Sequence, residues 1–133
     1  AMYDSRRSNP NTATLKKIVE IFSTGDLLEV NFIFSTDYID HQRPPGMAID
    51  GPDEFKQIVS DARGSLRTLE VTIVDMIGEE DKVMGRLHWR IIDLAGKEIN
   101  RETIDILRFV DGQVVEHWGA EAWRTETYME DKT

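Results

Sequence analysis

The run from Glu102 to Trp118, ETIDILRFVDGQVVEHW, limits the fold more than any other stretch of the chain. Two apolar segments, Thr103 to Val110 and Gln113 to Trp118, flank Asp111-Gly112, a pair suited to the positive backbone angles of a two-residue type I′ turn. The segment predicts a β-hairpin. Pairing Val110 with Gln113 sets Asp105 opposite Trp118 and Leu107 opposite Glu116, with these side chains on one face. An acid on an otherwise apolar face needs either a partner or a chemical role.

The rest of the chain supplies cover for such a face. Residues 1–11 are polar, contain Pro10 and read as an arm. Leu15, Ile18, Val19 and Phe22 recur at helical spacing and Gly25 follows as a stop. Asp26 is placed to cap a second helix carrying Leu27, Leu28, Val30, Phe32, Ile33 and Phe34. Thr36 to His41 reads as a short extended segment, and the stretch from Gln42 to Gly51, with Pro44, Pro45 and Gly46, reads as a loop. Pro52, Asp53 and Glu54 open a third helix that ends near Gly64.

From Leu66 the period becomes two. Leu69 to Ile77, Lys82 to Ile92, Ile99 to Val110 and Gln113 to Trp123 predict four strands with short connections, hence an antiparallel meander. The expected architecture is α+β: a cone-shaped curved antiparallel sheet, four long strands plus one short, with three N-terminal helices on its concave face. One domain over residues 12–126, with a tail over 127–133, fits a chain of 133 residues.

Charge and composition exclude several classes. A net charge of −9 opposes nucleic-acid binding, no apolar run is long enough for a membrane helix, and the absence of cysteine is compatible with a cytoplasmic location. No H-x-H, H-x-x-x-H or H-E-x-x-H spacing points to a metal, and no phosphate loop or nucleotide fingerprint points to a cofactor.

Extending the pairing with Asp93 near Glu98 and Ile77 near Lys82 collects Met84, Arg86, His88, Arg90, Thr103, Asp105, Leu107, Phe109, Glu116 and Trp118 on one face. The other carries Leu87, Trp89, Ile91, Ile104, Ile106 and His117. A one-residue bulge would exchange the faces beyond it. Both faces are too apolar for water, so the helices are expected on one and a second copy of the chain on the other, making a homodimer.

In this register Asp105 either pairs with Arg86 across the hairpin or acts on a ligand, and His88 beside it is a candidate for proton exchange. His117 reads as structural. Asp40 is either a turn residue before Pro44 or a functional acid. The candidate catalytic set is Asp40, His88 and Asp105, with Tyr38, His41, Arg86, Leu107, Phe109 and Trp118 lining a site for a small apolar organic ligand.

Across about residues 12 to 123, STGDLLEV after the first helix, DYIDH followed by a loop and GPDEFKQIV, and the hairpin TIDILRFVDGQVVEHW resemble the nuclear-transport-factor-like superfold. Within it they resemble the SnoaL-like polyketide cyclases and the steroid Δ-isomerases. The resemblance to the cyclases places their catalytic aspartate at Gly119 and its partner histidine at Asp105, both departures. The resemblance to the isomerases places their general base at Asp40 and their oxyanion-holding acid at Asp105, with Ile18 where they carry a tyrosine. It implies cofactor-free acid-base chemistry on an apolar carbonyl compound, Asp40 as base and a protonated Asp105 as donor. The rival reading is a non-catalytic ligand-binding or dimerisation module of the same fold.

Overall fold

The computed structural model describes residues 9–122 apart from 44, 47 and 48; Trp123, the tail and most of the expected arm lie outside the described residues. Helix α1, Thr12–Thr24, buries Leu15, Ile18, Val19 and Ile21. It stops where Gly25 adopts a left-handed φ of 78° and returns its N–H to the Ile21 carbonyl at 2.7 Å. Arg63 donates to the carbonyls of Phe22 and Ser23 at 2.9 and 2.8 Å, tying the end of α1 to the last turn of the helix over Pro52–Gly64.

The second helix is far shorter than its apolar run suggests. Only Val30–Ile33 is helical (α2), and Phe34 already begins strand β1, Phe34–Asp40. Asp26 does not cap a helix; its carboxylate accepts the Leu28 N–H at 3.0 Å in a local turn. Leu28 and Phe32 consequently stand exposed. Helix α3, Pro52–Gly64, starts as expected with Pro52 in its first turn and Asp53 and Glu54 beside the positive end of its dipole.

Strands β2 (Leu66–Glu79), β3 (Lys82–Asp93), β4 (Glu98–Val110) and β5 (Gln113–Glu121) form the antiparallel meander, and β1 joins the sheet parallel to β5, giving the order β1-β5-β4-β3-β2. The α+β cone is therefore present, with an unclosed curved sheet and the helices on its concave side. Phe22, Phe34 and Phe55 pack with Tyr38 and Trp89 at ring separations of 4.3 to 5.4 Å, joining helices to sheet. Each large apolar side chain buried there contributes roughly 1.5 to 3 kcal/mol. Among the described residues no helix is long and apolar enough to cross a membrane.

Register is where the molecule differs most from its sequence reading. Between β4 and β5, Phe109 pairs with Val114 but Arg108 pairs with Glu116, so Val115 is an extra residue and the faces exchange beyond it. His117 turns inward, across from Leu107, and Trp118 turns outward, across from Ile106. Between β3 and β4, Ile92 pairs with Glu98, one step from the expected register, because Asp93 collects the Ala95 and Lys97 amides into a longer turn. Gly85, not Arg86, therefore faces Asp105.

Candidate active site

Two of the expected acids meet at one end of a cavity of about 270 Å³ under the sheet. Leu15, Ile18, Val19 and Phe22 from α1, Phe55, Ile58 and Ala62 from α3, and Leu87, Trp89 and Leu107 from the sheet form apolar walls. Its polar end is built from Tyr38, Asp40, Gln42, Thr103, Asp105 and His117. The volume sits near the lower end of the ~300 to 1,000 Å³ common for small-molecule pockets.

Parallel pairing of Asp40 with His117, and antiparallel pairing of Asp105 with Gly119 next to it, bring both carboxylates against one imidazole. His117 Nδ1 lies 2.8 Å from Asp40 Oδ1, and Nε2 lies 2.7 Å from Asp105 Oδ1. Only an imidazolium donates from both nitrogens. Burial works to lower the His117 pKa, but the hydrogen bonds and charges of Asp105 and Asp40 outweigh it and push the ring up to about 9.

Each carboxylate has further support. Burial works to raise the Asp40 pKa; the hydrogen bond and charge of His117, with the Gln42 N–H at 2.8 Å, overcome it and hold the acid below its ordinary value. The Asp105 Oδ2 accepts the Thr103 hydroxyl at 2.6 Å, and that hydroxyl in turn accepts the Trp89 indole N–H at 2.8 Å. Each Asp105 oxygen thus has its own hydrogen-bonding partner, His117 at Oδ1 and Thr103 at Oδ2. Burial, with the negative charges of Asp40 and Glu54, pushes the Tyr38 phenol well above its usual range, so it stays protonated beside Asp40.

Behind Asp40 lies Glu54, wholly buried in the first turn of α3. Its Oε1 accepts the Asp40 backbone N–H at 3.3 Å and its Oε2 pairs with Arg43 Nε at 2.5 Å. Burial pushes the Glu54 carboxyl up, against the pull of Arg43. At Gly119 a Cβ would meet the Gln42 amide oxygen and lie 2.7 Å from Asp105 Oδ1, so a larger residue there requires both of these polar side chains to shift.

The remaining sequence candidates are distributed as follows. Tyr38 and Leu107 line the cavity, and Phe109 is buried in the core beyond it. His88, expected beside Asp105, lies on the outer face, its ring 3.0 Å from Asn100 Oδ1; Leu87 and Trp89 on either side take the inward positions. Arg86 also faces outward and binds Asp75 and Glu102 instead of Asp105. Trp118 stacks on His41 at 4.9 Å outside the cavity, and His41 pairs with Glu116 at 2.8 Å.

His117 faces inward, not to the outer side that strict alternation gives it, and the Val115 bulge is the physical reason. A signal was available: Arg108 and Glu116 are opposite charges that only the shifted register sets directly across, where they bond at 2.6 Å. Among the described residues no group of three or more His, Asp or Glu side chains has a geometry that could hold a metal.

With this geometry in hand, comparison with known proteins is consistent. The SnoaL-like polyketide cyclase family model matches residues 12–122. Among solved structures, a protein of Bacillus cereus ATCC 10987 named provisionally as a polyketide cyclase superposes with a TM-score of 0.78 at 23% identity, covering 90% of this chain and 78% of that one. TsrD from Streptomyces laurentii gives 0.76 at 16% identity, with coverages of 90% and 91%. A SnoaL-like polyketide cyclase from Agrobacterium tumefaciens strain C58 gives 0.74 at 7% identity, with coverages of 95% and 100%. Among curated proteins none matches. At such identities the structural likeness speaks for the fold, and the family match over nearly the whole described chain speaks for descent: this chain belongs to the SnoaL-like polyketide cyclase family.

Proposed function

We propose that the protein is a small-molecule enzyme of the cyclase and isomerase kind, moving protons on an apolar carbonyl compound with Asp105 and His117 as its acid-base pair. The observation that carries this reading is the His117 ring held with one nitrogen against each of two buried acids, Asp40 and Asp105, at the polar end of an otherwise apolar cavity. Asp105 takes the proton from the carbon beside the carbonyl. As its charge is quenched its hold on the His117 Nε2 proton weakens, and that proton passes to the enolate oxygen. Return of the proton from Asp105 to Nε2 across the 2.7 Å hydrogen bond restores the starting state.

The enol is then free to reprotonate at another carbon or to attack a second carbonyl, which are isomerase and cyclase outcomes of one step. The His117 ring and the Gln42 N–H hold the Asp40 carboxyl below its ordinary value, and its role is to orient and charge the ring through Nδ1. Exchange of α-protons for deuterium in a panel of cyclic ketones, followed by NMR, tests the reading. The wild type is expected to accelerate exchange and Asp105→Asn to lose about 10²-fold or more, in the range of a general base. Equal exchange by Asp105→Asn, or a wild type that binds the ketones without accelerating exchange, would favour a non-catalytic binding module.

The expected homodimer through the outer sheet face also stands as a proposal. Val74, Met84 and Ile104 are exposed on that side of the sheet, each 43 to 46% accessible, which supports a self-complementary contact. Sedimentation equilibrium should find a dimer at micromolar concentration and a monomer for Ile104→Lys. A monomeric wild type contradicts it.

A further inference from the structure

We propose that the cavity selects its substrate by charge, taking a compound that bears a protonated amine on a small apolar frame and excluding carboxylates. The inference rests on the preceding reading only in placing the substrate in this cavity. It starts from a count of protons. An imidazolium between two carboxylates carries a net charge of about −1, and so does a neutral imidazole beside one carboxylate and one carboxylic acid. Wherever the shared protons sit in the Asp40, His117 and Asp105 group, the excess negative charge is the same.

Nothing else on the cavity wall offsets that charge. Among the described lining residues there is no lysine or arginine. The cation nearest in sequence to Asp40, Arg43, is committed to Glu54 and Asp50, each at 2.5 Å. On the outer face Arg86 pairs with Asp75 and Glu102, Arg90 with Glu70 and Glu98, and Arg108 with Glu116, while Arg101, on the same side of β4 as Thr103 but outside the cavity lining, is paired with Glu121 at 3.0 Å. A bound carboxylate would therefore add a second uncompensated negative charge in a mostly apolar cavity, where Coulomb interactions are stronger than in water. A bound ammonium would bring the group to neutrality.

Two further features favour the cation. Phe22, Phe34, Phe55, Tyr38 and Trp89 contribute aromatic rings to the wall, whose faces attract positive charge. The net charge of −9 draws cations toward the protein and repels anions at long range. The site thus differs from a purely apolar hole, which would rank ligands by area alone.

Three probes that share one aromatic frame separate the two cases: phenethylamine, 2-phenylethanol and phenylacetate, titrated at pH 7 into 15N-labelled protein while the indole N–H of Trp89 is followed by NMR. Phenethylamine is expected to bind at least about tenfold more tightly than phenylacetate, with the alcohol between them. Asp105→Asn removes the excess charge and should compress that ratio below about threefold, and Asp40→Asn provides the same readout if the first variant folds poorly. Phenylacetate binding as tightly as phenethylamine, none of the probes moving Trp89, or a ratio unchanged in both variants would overturn the proposal. Loss of the ordering with ketone exchange intact removes only the charge selection. Exchange failing while the ordering holds removes only the proposed chemistry.

Discussion

The His117→Leu variant is expected to lose roughly 3 to 5 kcal/mol of folding stability at pH 7, the scale for breaking a buried ion pair by removing one partner. The wild-type ring is the cation between Asp40 and Asp105, which are only 7% and 8% exposed. Leucine fills much of the volume but leaves two carboxylates facing each other across an apolar side chain. The loss is therefore electrostatic rather than a packing defect, and two comparisons separate these causes. Adding Asp105→Asn to His117→Leu should recover part of the stability, whereas in the wild-type background Asp105→Asn alone should destabilise. Urea unfolding of the two single variants and the double variant, with midpoints and slopes compared, checks both statements. A His117→Leu protein within about 1 kcal/mol of wild type would show that the ring contributes no net charge compensation.

Much of this site was legible from residue order, and its failures have identifiable causes. The hairpin at Asp111-Gly112, the helices over residues 12–24 and 52–64 and the meander follow from local turn chemistry and periodicity, which neighbouring residues determine by themselves. Asp105 stands out as an acid within an apolar strand, and Asp40 follows from the resemblance to the steroid isomerases, which sets their general base there. His117 could not be assigned by alternation, because the inserted Val115 reverses the faces and a bulge leaves little local trace beyond two consecutive valines. Arg86 and His88 lie one step of register from the Asp105 face that alternation gives them, because Asp93 gathers the amides of its turn. The second helix is shorter than its apolar run because those residues serve a single turn and then a strand. Glu54 read as a dipole-favouring residue of a first turn; only the folded chain shows that it holds the Asp40 backbone and Arg43 together.

The second large effect is a loss of stability on the alkaline side. His117 titrates at about 9 in the folded protein against an ordinary value of 6.5, so its pKa is raised by folding. Stability from a raised pKa is fully present below about 6.5 and disappears as pH rises through about 9, amounting to something on the order of 3 kcal/mol. Asp40 acts in the opposite direction. Its pKa is lowered in the folded state, so its contribution is present above the ordinary carboxyl value and is lost as pH falls through the folded one. The two together place the stability maximum between the acid and alkaline losses. His117→Leu should lack the alkaline loss attributable to this ring, which distinguishes its titration from that of any lysine or tyrosine.

The most direct measurement is the pH titration of the His117 ring nitrogens by 15N NMR, with His41 and His88 assigned by substitution. An imidazolium protonated at both Nδ1 and Nε2 at pH 7, releasing a proton near pH 9, is the result expected for a ring shared by Asp40 and Asp105. A ring already neutral at pH 7, or one titrating at or below its ordinary 6.5, would contradict the charged Asp40, His117 and Asp105 group on which the proposed chemistry depends.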